Sequence, residues 1–268
     1  MSRHEPVRHA LRRALCGLLV VGALAAATAC GSTAPDPVPQ AGISETPLGD
    51  AMRAYHENRA QFTGIAVWFH GMDSPRGTEI QGALNQRRFV DPFLRAGWVV
   101  ASADAGGNSF ANPGSLRTYL GLIRAVRARF GEQLPLAFLS ESMGSLAALK
   151  LYARPEFRSI RGMVGVSPLT GLPPEVRAVD YVRDPWGGEV PASADPLTKP
   201  AGTYAGRRFF FVYSPEDRLI PLDAGARAFT LRFDPPSDVD LNQCSGDHGD
   251  ESCYLGPQAL AFIQKEPT

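Results

Sequence analysis

The sequence predicts an α/β domain built on a mostly parallel sheet with helices on both faces. Three observations carry that expectation. Short apolar runs of strand length alternate with segments whose apolar residues recur at helical spacing, the order that yields parallel strands joined by crossover helices. The chain has 268 residues, 44% of them hydrophobic, enough for one large domain with a sizeable core. From Leu134 to Lys150 an apolar run passes through a small-residue turn straight into a helix-forming run.

At the N-terminus, Arg3, Arg8, Arg12 and Arg13 precede an apolar run from Ala14 to Ala29. That run is short and rich in Ala and Gly, which suits a signal peptide over residues 1–29 better than a membrane span. It ends Ala27-Thr28-Ala29-Cys30, similar to a bacterial lipoprotein cleavage box, so Cys30 is the expected lipidation site. Ordinary secretion with cleavage near Ala29 is the alternative. Gly31 to Pro47 holds almost no large apolar residue and reads as a disordered tether, 30–47, ahead of a folded domain over 48–268. The several acyl chains of a lipoprotein would hold such a domain firmly at a membrane surface.

Within the domain, Leu48, Met52 and Tyr55 recur at helical spacing and suggest a short amphipathic helix to about Ala60, with His56 on its solvated side. Gly64 to Phe69 is apolar throughout and reads as a buried strand ending at His70-Gly71-Met72-Asp73. Leu84 to Ala96 is helical with a break at Asp91-Pro92, and Gly97 to Ala103 is a strand followed by the glycine-rich loop from Asp104 to Pro113. Leu116, Tyr119, Leu120, Ile123, Val126 and Phe130 mark one helical face, closed by Gly131. A strand over Leu134 to Leu139, a helix to about Ala153 and a strand over Arg161 to Val166 follow. Beyond them come a strand at Phe209 to Tyr213, a helix at Leu222 to Ala228, a strand at Phe229 to Phe233 and a terminal helix at Pro257 to Ile263. Residues 169–207 are longer than one crossover needs and contain six prolines, so they read as an insert or cap. Only Glu175 to Val182 has helical character there, and Leu172, Tyr181 and Trp186 are apolar groups able to lie over a site.

The 27 basic residues balance 27 acidic ones, which removes the electrostatic case for nucleic acid binding. The expected partner is a small molecule, with membrane contact only through the N-terminal anchor. Once Cys16 and Cys30 are assigned to the leader and anchor, Cys244 and Cys253 remain, and in an oxidising compartment a disulfide is the default. A zinc site using Cys244, His248 and Cys253 is the rival; it lacks a fourth ligand, and no metal is expected.

Ser142 stands at the corner of the strand–helix transition and is the nucleophile candidate. Ser140 and Gly144, two residues away on either side, are small enough for a tight turn. Met143 opens the helix, so its backbone N–H is available to a developing oxyanion. A serine nucleophile needs a base. His4 and His9 leave with the leader, and His56, His70 and His248 remain. His248 lies in a polar loop after the last strand, where parallel sheets carry chemistry, and the cysteine pair would restrain that loop. It is the expected base. Asp217, after the penultimate strand, is the expected orienting acid; an ordinary turn aspartate is the plain reading, and Glu216 is the fallback. Asp247 and Asp250 are too near His248 in sequence to reach its far ring nitrogen easily. Gly71 permits close backbone approach, making the Met72 N–H a second oxyanion donor.

Phe69-His-Gly-Met72, Ser140-Glu-Ser-Met-Gly144, Pro215-Glu-Asp-Arg-Leu-Ile-Pro221 and Gly246-Asp-His-Gly249 resemble, in order, the four motifs of α/β-hydrolase superfamily serine esterases and lipases. The resemblance runs from about Gly64 to the C-terminus. It implies the α/β-hydrolase fold with an eight-stranded type of sheet, ester hydrolysis through an acyl-enzyme, and no cofactor. Ser140 and Ser145 depart from the usual glycines. The superfold hosts many reactions, so a catalytically silent lipoprotein that binds an apolar ligand and a cell-envelope acyltransferase are the alternatives.

Overall fold

The computed structural model describes residues 42–73, 80, 84–235 and 237–266. The expected signal peptide, Cys30 and most of the tether lie outside those residues. Eight strands form one sheet in the order β1-β2-β4-β3-β5-β6-β7-β8. They are β1 (Ile43–Gly49), β2 (Met52–Glu57), β3 (Gly64–Phe69), β4 (Trp98–Ala103), β5 (Leu136–Glu141), β6 (Met163–Val166), β7 (Arg208–Tyr213) and β8 (Asp238–Gln243). The first two strands run antiparallel at one edge, and all pairings from β4 through β8 are parallel. In the centre Val67 stands in register between Ala101 and Phe138.

The pleat divides the core in two. Ile65, Val67, Phe69, Phe138, Phe209 and Phe211 face one layer, with the buried sides of α2 (Pro113–Phe130), α3 (Gly144–Tyr152) and α6 (Ala226–Phe233). Ala66, Trp68, Leu139, Phe210 and Val212 face the other, with α1 (Leu84–Arg95) and α7 (Gly256–Gln264). Because both faces are covered, β3 and β4 are buried at every position, which is why their sequences show no alternation. Each fully buried large side chain contributes about 1.5–3 kcal/mol. Right-handed crossovers fix the layers. The chain steps from β3 to β4 over α1, then reverses over α2 to reach β5, so the two helices fall on opposite faces. The reversal point lies at the C-terminal ends of β3 and β5, where sheets of this kind hold ligands.

Several expectations change at the sheet's ends. The segment from Leu48 to Ala60 is not a helix: it is the end of β1, a turn with Ala51 at φ 52°, and β2. Residues 43–47, placed in the tether by composition, belong to β1 and pair with β2. His56 is therefore on a strand, with its ring against Phe62 and Phe130 and Nε2 3.0 Å from the Thr46 hydroxyl. α1 runs unbroken through Pro92, because Phe89, Val90, Phe93 and Leu94 pack one face of it into the core and outweigh the lost backbone bond. Residues Phe229 to Phe233 are helical rather than extended, since burying Ala226, Phe229 and Phe233 together needs helical spacing. Leu222, expected in a helix, is an exposed turn residue before α6. The last strand is β8, whose Asp238, Asp240 and Asn242 suit a sheet edge and conceal it in the sequence. The 169–207 insert contains two single helical turns, α4 (Pro174–Arg177) and α5 (Asp180–Arg183), followed by 3-10 turns.

Candidate active site

β5 delivers Ser142 and α3 leaves it at once. Ser142 has φ 46°, a left-handed conformation that costs a non-glycine residue about 1–3 kcal/mol. Backbone bonds hold it there. The Ser142 N–H donates to the Val166 carbonyl at 3.0 Å, and the Ser142 carbonyl accepts from the N–H groups of Ser145 and Leu169 at 3.0 and 3.1 Å. At Gly144 a Cβ would lie 2.2 Å from the Phe69 carbonyl oxygen and 2.5 Å from that of His70, so only glycine lets the helix start against the end of β3. Ser140 and Ser145 satisfy each other. Their hydroxyls are 2.9 Å apart, and Ser140 also donates to the Val164 carbonyl at 2.9 Å. Both are fully buried, and the pair occupies the room that glycines would leave.

Three loops at the same edge of the sheet meet over this turn. His248 Nε2 lies 3.0 Å from Ser142 Oγ, and His248 Nδ1 lies 2.8 Å from Asp217 Oδ2. The Asp217 side chain is 6% exposed, and its other oxygen accepts the N–H groups of Leu219 and Ile220 at 2.9 and 3.0 Å. Burial alone would raise its pKa. The hydrogen bonds from His248, Ile220 and Leu219 together outweigh burial and hold the carboxyl below its ordinary range. Glu216, the fallback acid, is exposed. Asp250 caps the turn at Ser252, and Asp247 bridges two loops: Oδ1 accepts from the backbone N–H of His248 at 2.8 Å and of Arg218 at 3.1 Å, and Oδ2 from Arg218 Nε at 2.8 Å. The disulfide between Cys244 and Cys253, Cα atoms 5.0 Å apart, closes the base of the His248 loop. His70 is buried, its ring nitrogens 2.8 Å from the Gly71 carbonyl and 2.9 Å from the Asp104 carbonyl.

A cleft of about 250 Å³ opens beside Ser142, and Met72 and Met143 both line it. Met143 stands at the N-cap of α3, where backbone N–H groups point out of the helix end. The rest of the lining is mainly apolar: Phe110, Leu169, Val176, Val179, Val182, Ile220 and Pro221. Of the three insert residues expected over a site, only Tyr181 borders this cleft. Leu172 is fully buried in the core, and Trp186 lines a different groove. Sequence reasoning passed over four contributors. Phe110 sits in the glycine-rich loop, where composition draws the eye to Gly106 and Gly107. Ile220 and Pro221 follow the acid and were read as part of its motif. Glu141, beside Ser142, accepts from Tyr254 Oη at 2.5 Å and Gln86 Nε2 at 3.0 Å, tying the elbow to the chain after His248 and to α1. No local pattern announces that contact.

No protein-family model matches the chain, and no curated protein matches it in sequence. Solved structures do match in shape. Est1E from Butyrivibrio proteoclasticus superposes with a TM-score of 0.59 at 16% identity, covering 84% of this chain and all of the other. FphF, a fluorophosphonate-binding serine hydrolase of Staphylococcus aureus, gives 0.62 at 12% identity over 84% of this chain and all of its own. A truncated carbohydrate esterase from gut microbiota gives 0.63 at 12% identity over 86% and 100%. The chain has the α/β-hydrolase fold, as the four motifs led us to expect.

Proposed function

We propose that the chain is a serine hydrolase that cleaves carboxylic esters through an acyl-enzyme. The observation that carries this reading is the unbroken line of hydrogen-bonding contacts from Ser142 through His248 to Asp217. In the first step Ser142 Oγ attacks the ester carbonyl carbon while His248 Nε2 takes its proton. Asp217 accepts a hydrogen bond from the Nδ1–H of His248, fixing the tautomer and favouring the imidazolium that forms. The N–H groups of Met72 and Met143 hold the oxyanion. The tetrahedral intermediate collapses as His248 gives its proton to the departing alcohol. Water, deprotonated by His248, then attacks the acyl-serine, and the carboxylic acid leaves as Ser142 regains its proton.

The apolar cleft receives the acyl group. Fold neighbours with a carboxylic acid bound, ferulic acid in Est1E and butyrate in a Thermogutta terrifontis esterase, are consistent with an acyl site of this kind. The test is hydrolysis of short-chain aryl esters. The wild type turns them over and is labelled by a fluorophosphonate, and Ser142→Ala loses both. Equal rates for the two proteins would refute the assignment. The leader and the Ala27-Thr28-Ala29-Cys30 sequence support export, with the enzyme tethered outside the cell membrane through a lipidated Cys30. Mass spectrometry of the mature protein checks this, with an unmodified N-terminus near residue 30 indicating plain secretion instead.

A further inference from the structure

Lys150 projects from α3, the helix that starts just after Ser142, and its charge is spent in an unusual way. Its Nζ donates to the Ala111 carbonyl at 3.1 Å and lies over the Trp186 ring, 4.7 Å from the centroid. Trp186 in turn donates its Nε1 proton to the Phe110 carbonyl at 3.2 Å, and Asn112 Nδ2 donates to the Pro185 carbonyl at 2.7 Å. These contacts clamp the 184–186 turn of the insert onto the loop after β4. That loop needs holding. Phe110 and Ala111 are consecutive non-glycine residues with φ of 44° and 56°, each an unfavourable left-handed conformation. The Phe110 ring meets the Tyr181 ring at 5.8 Å, and both side chains line the cleft beside Ser142.

We infer that Lys150 is a positioning residue that sets acyl-chain specificity: through Ala111 and Trp186 it latches Phe110 and Tyr181 in place as a wall of the cleft, and so limits the length of acyl group accepted. The inference rests on the reading of Ser142 as the nucleophile. The cost of the arrangement is visible in the lysine itself. Its pKa is pushed down to about 8, first by burial and then by the nearby charge of Lys199, with Asp195 opposing. An ammonium held under that penalty, with a carbonyl and an aromatic face as its partners, marks a contact that orders the backbone.

The experiment compares kcat/KM for the p-nitrophenyl esters of butyrate, octanoate and dodecanoate in the wild type, Lys150→Met, Lys150→Arg and Trp186→Phe. Lys150→Met is expected to raise the dodecanoate-to-butyrate ratio about tenfold, mainly through a lower KM for the long ester. Lys150→Arg, which keeps a donor and a cation for the ring, returns the ratio towards the wild-type value. Trp186→Phe keeps the aromatic face, loses the donor to Phe110 and shifts the ratio in the same direction as Lys150→Met; it carries the test should Lys150→Met not fold. A uniform fall across all three esters, or an unchanged ratio in both Lys150→Met and Trp186→Phe, overturns the inference. Hydrogen exchange keeps it separable from the nucleophile assignment. Residues 108–112 and 180–187 exchange faster in Lys150→Met if the latch exists and at the wild-type rate if it does not, whether or not the wild type hydrolyses esters. Failure of Ser142 as nucleophile appears instead as wild-type protein that takes no fluorophosphonate.

Discussion

Asp217 is ionised by its neighbours in spite of its burial. Two backbone N–H groups and the His248 ring act on one carboxylate, so the imidazole has a fixed orientation before any substrate arrives. A second aspartate supports that geometry from outside. Asp247 joins the backbone N–H of His248 to the backbone and guanidinium of Arg218, next to Asp217. Replacing it, Asp247→Ala, frees the two loops relative to each other. The expected result is a fall in kcat of about tenfold with KM little changed, since small displacements of reacting groups are costly. Steady-state kinetics on a short aryl ester check this. Raising the ionic strength lowers wild-type kcat in the same direction, because the Arg218–Asp247 pair is exposed to solvent and screened. Ser142 and Asp217 were legible because each stands after a readable strand, and His248 because histidine is scarce, although the strand before it, β8, was not readable. Asp247 was not, because its role depends on Arg218, 29 residues away.

At the level of elements, the loop that carries His248 has little structure of its own. A short 3-10 turn over Glu251–Cys253 and the Cys244–Cys253 disulfide give it shape. A bond across nine positions is worth about 2.5 kcal/mol by loop entropy. The double variant Cys244→Ser/Cys253→Ser is expected to lose about that much stability in urea and to lose more esterase activity than the stability change accounts for. The activity of folded protein, normalised to fluorophosphonate labelling, makes the measurement. Central elements were readable in the sequence because β3, β4 and β5 are buried on both faces and their residues say so. The peripheral ones were misread. β1 and β2 carry apolar residues whose spacing fits a helix as well as two strands around a turn. β8 alternates acidic residues with Val239 and Leu241, and its pairing with β7 decides its conformation.

Across the whole molecule, charge is balanced at neutral pH, and carboxylates held below their ordinary pKa range add to its acid sensitivity. Asp217 has a pKa lower in the folded state than in the unfolded chain. Its stabilisation is therefore complete above the unfolded value of about 4 and is lost as pH falls through the folded value. Asp217→Asn removes the charge at every pH. The difference in urea midpoint between wild type and Asp217→Asn is expected to shrink between pH 5 and pH 2. A difference that stays constant over that range contradicts the assignment of a depressed carboxyl. Sheet topology also explains why Ser142, Asp217 and His248 gather at one edge of the sheet. The C-terminal ends of β5, β7 and β8 lie along one edge of the sheet, with β6 between β5 and β7, although Ser142 and His248 are 106 positions apart.

The sequence by itself determined the layered α/β architecture, the strand–helix corner at Ser142 and the identities of the three groups that meet there. Burial of whole strands and the steric demands of a tight turn act locally and leave a local imprint. Only the tertiary structure decided the conformation of the sheet's edges, the path of the insert and the wall of the cleft. Those depend on partners such as Trp186 for Lys150 and β7 for β8, and a chain read in order does not announce which distant residue will supply them.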